Sequence, residues 1–409
     1  MYQRMNKERE EELEQWASDV IFGRAKGLRA TLMRIVLRCF SWLFRLLVYT
    51  RLRLFRKGWK QQTQMGTLVI SIGNITVGGT GKTPVVELFA KTLRDRGRNV
   101  SILSRGYKSK NLDTPQSWTS KITGEAINPE IMPKVVSNGT VPPILEAAYA
   151  GDEPYMLAKN LEKVKVIVDK DRVKSARFAI NEFESDTIIL DDGMQFLKIG
   201  HSLDIVLVDA NSPFGTENLL PRGTLREPPK NLCRADYIFI TKCKKAANTE
   251  IIERIRKHNL TAEIIECTHG PIQLENVFTG EVEPLSLLED KFVAAISGIA
   301  VPESFEEKLK DHGANVLFHR TFSDHYNFSQ QEIDSFMRRC IRRDAELIVT
   351  TEKDAVRFHR PAELDVPVYF LRIEVDILSG QHVFEKIIDR ICSPKDVVDP
   401  LLKRVKEVA

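Results

Sequence analysis

Gly73-Asn74-Ile75-Thr76-Val77-Gly78-Gly79-Thr80-Gly81-Lys82-Thr83-Pro84 decides how the rest of the chain is read. It follows an apolar, β-type run, Leu68-Val69-Ile70-Ser71-Ile72. It leads into a helical pattern, Val85-Val86-Glu87-Leu88-Phe89-Ala90-Lys91-Thr92-Leu93, that stops near Gly97. A Gly-Lys-Thr match becomes a phosphate-binding loop in this order of strand, glycine loop and helix. Glycines let successive backbone N–H groups converge on an anion, and the new helix points its positive end at the same place. Thr76, Val77, Gly78, Gly79, Thr80 and Gly81 would form the cradle. Lys82 would reach the β- and γ-phosphates and Thr83 would ligate Mg²⁺. Pro84 suits the first helical turn, where an N–H is not needed. Thr76 departs from the usual pattern, which has glycine at that position. The stretch predicts a nucleoside triphosphate site.

The chain of 409 residues has room for two α/β domains and an extension. Its net charge of +4 is small, but the distribution is uneven: no Asp or Glu lies between Val20 and Val86, where Arg and Lys are frequent. Six cysteines (Cys39, Cys233, Cys243, Cys267, Cys340, Cys392) form no C-x-x-C pair and lack a nearby His at zinc spacing. They read as reduced thiols of a cytosolic compartment. The highly charged start, Met1 to Trp16, does not read as a cleavable signal peptide.

Between Leu28 and Tyr49 the sequence alternates bulky apolar residues with Arg34, Arg38 and Arg45. At about 100° per residue these arginines and Ser41 fall on one stripe, with Leu32, Val36, Phe40, Trp42, Leu43 and Leu47 off it. A spanning helix needs roughly 20 mostly uncharged residues, so this one is expected to lie in an interface, its arginines against anionic headgroups. The competing reading is an amphipathic helix docked on the protein's own core.

From Met65 onward strands and helices alternate, predicting a parallel sheet with helices on both faces. Expected strands are Leu68–Ile72, Val100–Leu103, Val164–Val168, Thr187–Leu190, Ile205–Val208 and Tyr237–Ile240. The stretch from Tyr107 to Gly151 is expected to hang off the sheet as loops or a small hairpin. Gly270–Leu285 reads as a linker with short strands, and a second α/β pattern begins at Phe292. The expected organisation is residues 1–60 as lead-in and basic helix, 61–268 as a P-loop domain, and 269–409 as linker and smaller α/β domain.

Several polar clusters fall at the C-terminal ends of expected strands, where α/β sheets place their sites. Asp191-Asp192-Gly193 ends an apolar strand in the manner of a Mg²⁺-holding acidic pair. Pro221-Arg-Gly-Thr-Leu-Arg226-Glu227-Pro228 is a turn-rich charged loop whose arginine could meet a transferring phosphoryl group; an exposed solvated loop fits equally well. Asp152, in Gly151-Asp-Glu-Pro154, is either a helix cap or a carboxylate able to take a proton from an attacking hydroxyl. His325 lies in Phe322-Ser-Asp-His-Tyr326, and Thr350-Thr-Glu-Lys-Asp354 ends another apolar strand.

In this order the phosphate loop, Ser104-Arg-Gly-Tyr107, Gly151-Asp-Glu-Pro154, Asp191-Asp-Gly193 with Gln195, Leu225-Arg-Glu227, Asp324-His-Tyr326 and Thr351-Glu-Lys-Asp354 closely resemble the tetraacyldisaccharide 4'-kinase family of lipid A biosynthesis. The resemblance runs from about Arg34 to Phe358. It implies ATP-dependent phosphorylation of the 4'-hydroxyl of a lipid disaccharide by a monomer bound peripherally at the cytoplasmic face of a bacterial inner membrane. It also implies that Asp191, Asp192 and Glu227 hold Mg²⁺ beside Thr83, that Arg226 clamps the phosphoryl group, and that Asp152 is the general base with His325 as partner. The family's Asp-Asp-Gly-Phe-Gln-His is altered here to Met194 and Phe196, so that family histidine has no counterpart. Two other classes remain open: a membrane-associated P-loop ATPase switch and a soluble kinase for a polar metabolite. Nucleic acid is not an expected partner, because the basic residues are interleaved with bulky aliphatics.

Overall fold

The computed structural model describes residues 13, 15–106, 109, 132–324, 326–361 and 365–393. The apolar run before the phosphate loop forms β1 (Leu68–Asn74), buried along its whole length. β1 lies between β5 and β6, parallel to both. The other strands in chain order are β2 (Val100–Ser104), β3 (Lys134–Asn138), β4 (Lys165–Val168), β5 (Thr187–Asp191), β6 (Leu203–Asp209), β7 (Tyr237–Thr241), β8 (Glu263–Asn276), β9 (Val282–Glu283), β10 (Phe292–Ser297), β11 (Asn315–Thr321), β12 (Leu347–Thr351) and β13 (Val368–Ser379). They make one 13-stranded sheet in the order β11-β10-β12-β13-β8-β7-β6-β1-β5-β2-β4-β3, with β9 on β8. Most neighbours are parallel, which explains the near-continuous apolar strands that the sequence displays.

The first part of the expected linker is instead a long strand, and a short strand, β9, follows in it. β8 runs unbroken from Glu263 to Asn276 and pairs antiparallel with the long β13, joining the two halves of the sheet. Gly270 and Pro271 punctuate its sequence, but the register shifts between Arg372 and Ile373, opposite Pro271, so the missing N–H falls at an irregularity. The expected boundary at 268/269 therefore falls inside a strand. The terminal helix, Gln381–Cys392, also crosses back: its Val383, Phe384, Ile387, Ile388 and Ile391 share one core with β1. Phe384 meets Phe89 edge-on at 5.2 Å, and Phe89 meets Phe239 at 5.6 Å. β3, inside the region expected to be loops or a hairpin, pairs antiparallel with β4.

The basic segment forms helix α1 (Leu28–Arg56). Its two buried residues, Ala30 and Ser41, are small. Ser41 Oγ donates to the Leu219 carbonyl at 2.8 Å and accepts from Arg222 N–H at 3.1 Å, so the Ser41 side of the helix faces the body, with Arg38 and Arg45 exposed at its margin. Arg34 is turned the same way, donating to the carbonyls of Val20 (3.3 Å) and Ala25, and is no headgroup-facing side chain. Leu32, Val36, Phe40, Trp42, Leu43 and Leu47 remain exposed, which removes the reading of an apolar face packed on the core. Among the described residues no helix is long and apolar enough to cross a membrane.

The phosphate-loop helix α2 (Lys82–Asp95) is tied to the far half of the sheet by a buried charge cluster. Arg372 of β13 bonds Glu87 of α2 and Glu352, which follows β12. Asn160 donates to Glu352 at 2.6 Å and to Glu87 at 3.3 Å. Burial pushes both carboxyls up, Glu352 to about 6, against the pull of Arg372. Removing the cation leaves two facing buried acids, so Arg372→Ala is expected to cost about 3–5 kcal/mol at neutral pH. Without Arg372 the folded-state carboxyl pKa values rise further, so the deficit grows with pH above the unfolded carboxyl value. Urea melts should show a larger loss at pH 8 than at pH 5.

Candidate active site

The loop from Ile75 to Gly81 is shaped by contacts on both sides. Its first part zips onto the Leu219–Arg226 loop: Val77 N–H donates to Thr224 O, and Arg226 N–H to Ile75 O, both at 2.7 Å. Asn74 Nδ2 donates to Thr80 Oγ1 at 2.9 Å from within the buried end of β1. On the other side Thr241 Oγ1 donates to Thr80 O at 2.8 Å, and Lys242 Nζ bonds Gly79 O at 2.5 Å and Asp209 Oδ2 at 2.6 Å. Thr241 and Lys242 at the end of β7 thus hold two of the loop's carbonyls, Asn74 of β1 holds a loop hydroxyl, and Asp209 of β6 steadies Lys242. Gly81 has φ +75°, in the left-handed region, and an added Cβ would lie 2.3 Å from Cε1 of His269. That close approach and dihedral require glycine.

Asp191 and Asp192 end β5, beside β1, as their sequence position requires. Asp192 accepts two hydrogen bonds from Arg226, at 2.7 and 2.8 Å, and lies 3.8 Å from Lys82 Nζ. Arg226 also donates to Asn74 O at 3.0 Å, so it fastens the acidic strand end to the start of the phosphate loop. Burial raises the Asp192 carboxyl, but Arg226, Lys82 and Arg172 together outweigh it and hold the group well below the usual carboxylate range. Asp191 is the opposite case. Burial, then Glu153 and Asp192, push it up to about 6, only partly offset by Lys82 and Arg172. Its Oδ2 accepts from Ser104 Oγ at 3.0 Å, while its Oδ1 is buried without a hydrogen bond. An orphaned carboxylate oxygen beside a cradle for phosphates suits a divalent cation or a water bound to one.

Glu227 is placed differently. Its buried carboxylate accepts from Asn231 and Arg234, each at 2.7 Å, which occupies it locally. Among the described residues no three His, Cys, Asp or Glu side chains gather closely enough to hold a metal by themselves. Asp152 begins helix α3 (Asp152–Asn160), but Gly151 is the cap and no side chain caps this end. The capping role is therefore not what Asp152 performs. Its Oδ2 lies 3.4 Å from Arg357 Nε, and its neighbour Glu153 is near enough to Asp191 to raise it. His325 lies outside the described residues.

Arg172 escaped the sequence reading. It follows the charged run Asp169-Lys170-Asp171 and looks like part of a solvated surface. In the fold it is buried, bonds Asp192 O at 3.1 Å and covers the Phe196 ring at 5.2 Å. Three cations therefore face two acids. A phosphate cradle, an invading lysine and an acidic strand end on a parallel α/β sheet define a P-loop phosphotransferase.

Comparison with known proteins agrees. A family model described as tetraacyldisaccharide-1-P 4'-kinase matches residues 33–393. A tetraacyldisaccharide 4'-kinase of Anaeromyxobacter dehalogenans is 35% identical over 84% of this chain and 86% of its own. One from Halothermothrix orenii is 32% identical over 92% of this chain and 98% of its own. A crystal structure of LpxK from Aquifex aeolicus in complex with ATP superposes with a TM-score of 0.67 at 29% identity, covering 88% of this chain and all of that one. The chain belongs to the tetraacyldisaccharide-1-P 4'-kinase family.

Gly81→Ala is expected to destabilise the protein by about 1–3 kcal/mol and to weaken ATP binding, because left-handed backbone at a non-glycine residue is strained. Adding His269→Ala should relieve the clash but not the strain. Thermal melts and nucleotide titration of the single and double variants would separate the two effects.

Proposed function

We propose that the protein transfers the γ-phosphate of ATP to the 4'-hydroxyl of a tetraacylated glucosamine disaccharide 1-phosphate while bound to an anionic membrane surface. The observation that carries this reading is the facing of Lys82 and Arg226 by Asp192 at the mouth of the phosphate loop, with Asp152 approaching from α3. In phosphoryl transfer the protein's work is positioning and charge stabilisation. The loop amides and Lys82 hold the phosphates, and Arg226, once a phosphate competes with Asp192 for it, stabilises charge on the transferring group. Thr83 and Asp191 are the residues proposed to hold Mg²⁺, which when bound neutralises phosphate charge; Asp192 orders the cations around it. Asp152 takes the proton of the attacking hydroxyl, with His325 proposed as its partner. The two halves of the chain, proposed to divide near residue 268, hold the acceptor between them.

The exposed apolar side of α1 and its basic tail supply the membrane contact. Arg38, Arg45, Arg53 and Arg56 flank exposed Phe40, Trp42, Leu43 and Leu47 along one helix. This arrangement suits an interface where apolar groups enter lipid and guanidinium groups stay with headgroups. A monomer suffices for this reading, and nucleic acid has no part in it.

The test of the reaction is transfer of radiolabelled phosphate from ATP to the disaccharide lipid, with an acceptor-free control. Hydrolysis that is independent of the acceptor would instead indicate an ATPase switch. Lys82→Ala should abolish transfer without unfolding the protein; turnover at the wild-type rate would refute the loop assignment. Because Asp191 titrates near 6, protons compete with Mg²⁺ there. Calorimetric Mg²⁺ affinity, measured with a non-hydrolysable ATP analogue, should weaken about tenfold per pH unit below about 6, and Asp191→Asn should flatten that dependence. Replacing Arg38, Arg45 and Arg53 with Gln should weaken binding to anionic vesicles by about 1 kcal/mol per arginine and reduce its salt sensitivity. Unchanged vesicle partitioning would remove the interfacial role.

A further inference from the structure

Arg357 is held from three directions by the half of the chain that does not carry the phosphate loop. It follows helix α4 (Glu352–Ala355), whose Thr351 caps the first turn by accepting from Asp354 N–H at 3.2 Å. Asp354 is fully buried and saturated there, accepting from Gly298 N–H at 2.9 Å and Thr351 Oγ1 at 2.6 Å. Its other oxygen accepts from Arg357 Nη2 at 2.8 Å. Arg357 Nη1 donates to the Tyr326 carbonyl, and the guanidinium lies 6.0 Å from the Phe328 ring centroid. Only the Nε edge is left without a hydrogen bond, buried and 3.4 Å from Asp152 Oδ2. A rigid, always-charged fork thus turns its last donor toward the Asp152 carboxylate.

We infer that Arg357 is a positioning residue for the transfer reaction, fixing the Asp152 carboxylate from across the cleft. The inference rests on the reading of Asp152 as proton acceptor. An aspartate at the first position of a helix has rotamer freedom, and a base must lie within hydrogen-bond reach of the hydroxyl it serves. A cation this close also favours the ionised carboxylate, the form able to accept a proton. The contact joins one half of the sheet to the other, so the base is in order only when the halves are together. Other charges at this corner are Glu153, approached to 4.0 Å by Lys353, and Asp324, paired with Lys353 at 3.0 Å. Asp354, among the described residues, is turned toward Arg357 rather than toward Asp152.

The experiment measures kcat, KM for ATP, and the pH profile of kcat/KM for the lipid acceptor in Arg357→Ala, Arg357→Lys, Asp152→Asn and the Asp152→Asn/Arg357→Ala double variant. Arg357→Ala should lower kcat about 10- to 100-fold with little change in KM for ATP, the scale expected for a misplaced catalytic group. It should also move the acid limb to higher pH, since Asp152 then protonates more easily. Arg357→Lys keeps the charge but not the fork, so the limb should return while kcat stays low. In the Asp152→Asn background the alanine change should add little, because the two act as a unit. An unmoved limb, or the same fold-loss with and without Asp152, would assign Arg357 to holding Asp354 and Tyr326 alone and overturn the inference. Should the alanine variant not fold, Arg357→Lys decides in both backgrounds: a lowered kcat that all but disappears as an added effect in the Asp152→Asn background would uphold it, and wild-type kcat, or the same fold-loss in both backgrounds, would overturn it. Near-normal turnover in Asp152→Asn would instead defeat the reading of Asp152 itself, whatever Arg357 does.

Discussion

The bidentate contact between Arg226 and Asp192 is the interaction on which the site depends. It joins the end of β5 to the Leu219–Arg226 loop, and through Asn74 O it reaches the end of β1. Without it, Lys82, Arg172 and Arg226 would repel one another across a small, largely buried space. Asp192 balances them in the absence of nucleotide. An incoming polyphosphate brings far more negative charge, so it can draw Lys82 and Arg226 toward itself without leaving either buried cation unpaired. Preorganised charge of this kind is what phosphoryl transfer requires of a protein.

How much of this was legible in the sequence follows from how local each feature is. The phosphate loop, the strand end at Asp191 and Asp192, and the six strands expected between Leu68 and Ile240 are written in short-range pattern, and the fold places them as that pattern predicts. β8 was not legible because Gly270 and Pro271 look like a break, and only the irregular register of its partner accommodates them. The family resemblance, and no local pattern, marks Glu227 as a third magnesium ligand. Its bonds to Arg234 and Asn231 come from the turn that follows it, which short-range pattern does not announce. Arg172 and Arg357 were invisible for the converse reason: each is an ordinary basic residue in sequence, and only tertiary burial gives it one direction to face.

The N-terminal helix shows the same division. Periodicity separated arginines from aliphatics, but it could not say which side the body occupies. The body takes the side with Ala30 and Ser41, where small side chains let the helix approach closely enough for Ser41 to bond Leu219 and Arg222. A helix docked through its small residues leaves its bulky ones outward. Burying so many apolar side chains against lipid would be favourable at about 25 cal/mol per Å², whereas leaving them in water has no compensating contact within the described residues. Docking by Ser41 also ties α1 to the very loop that carries Arg226, so the helix with the outward apolar side and the Arg226 side chain share one structural support.

Asp191 and Asp192 are adjacent carboxylates in the same buried corner, yet their environments separate them. Asp192 is surrounded by guanidinium and ammonium groups that hold its carboxyl well below the usual carboxylate range. Asp191 has a hydroxyl donor, an acidic neighbour on α3 and one empty oxygen, and its proton is loosely held near 6. Neighbouring acids pushed apart in this way take different duties. The firmly ionised one organises the protein's own cations. The weakly protonated one gains most from a divalent ion, because the ion removes the cost of its burial. A divalent ion held there would lower the pKa of Asp191, because its charge offsets the cost of burying the ionised carboxylate.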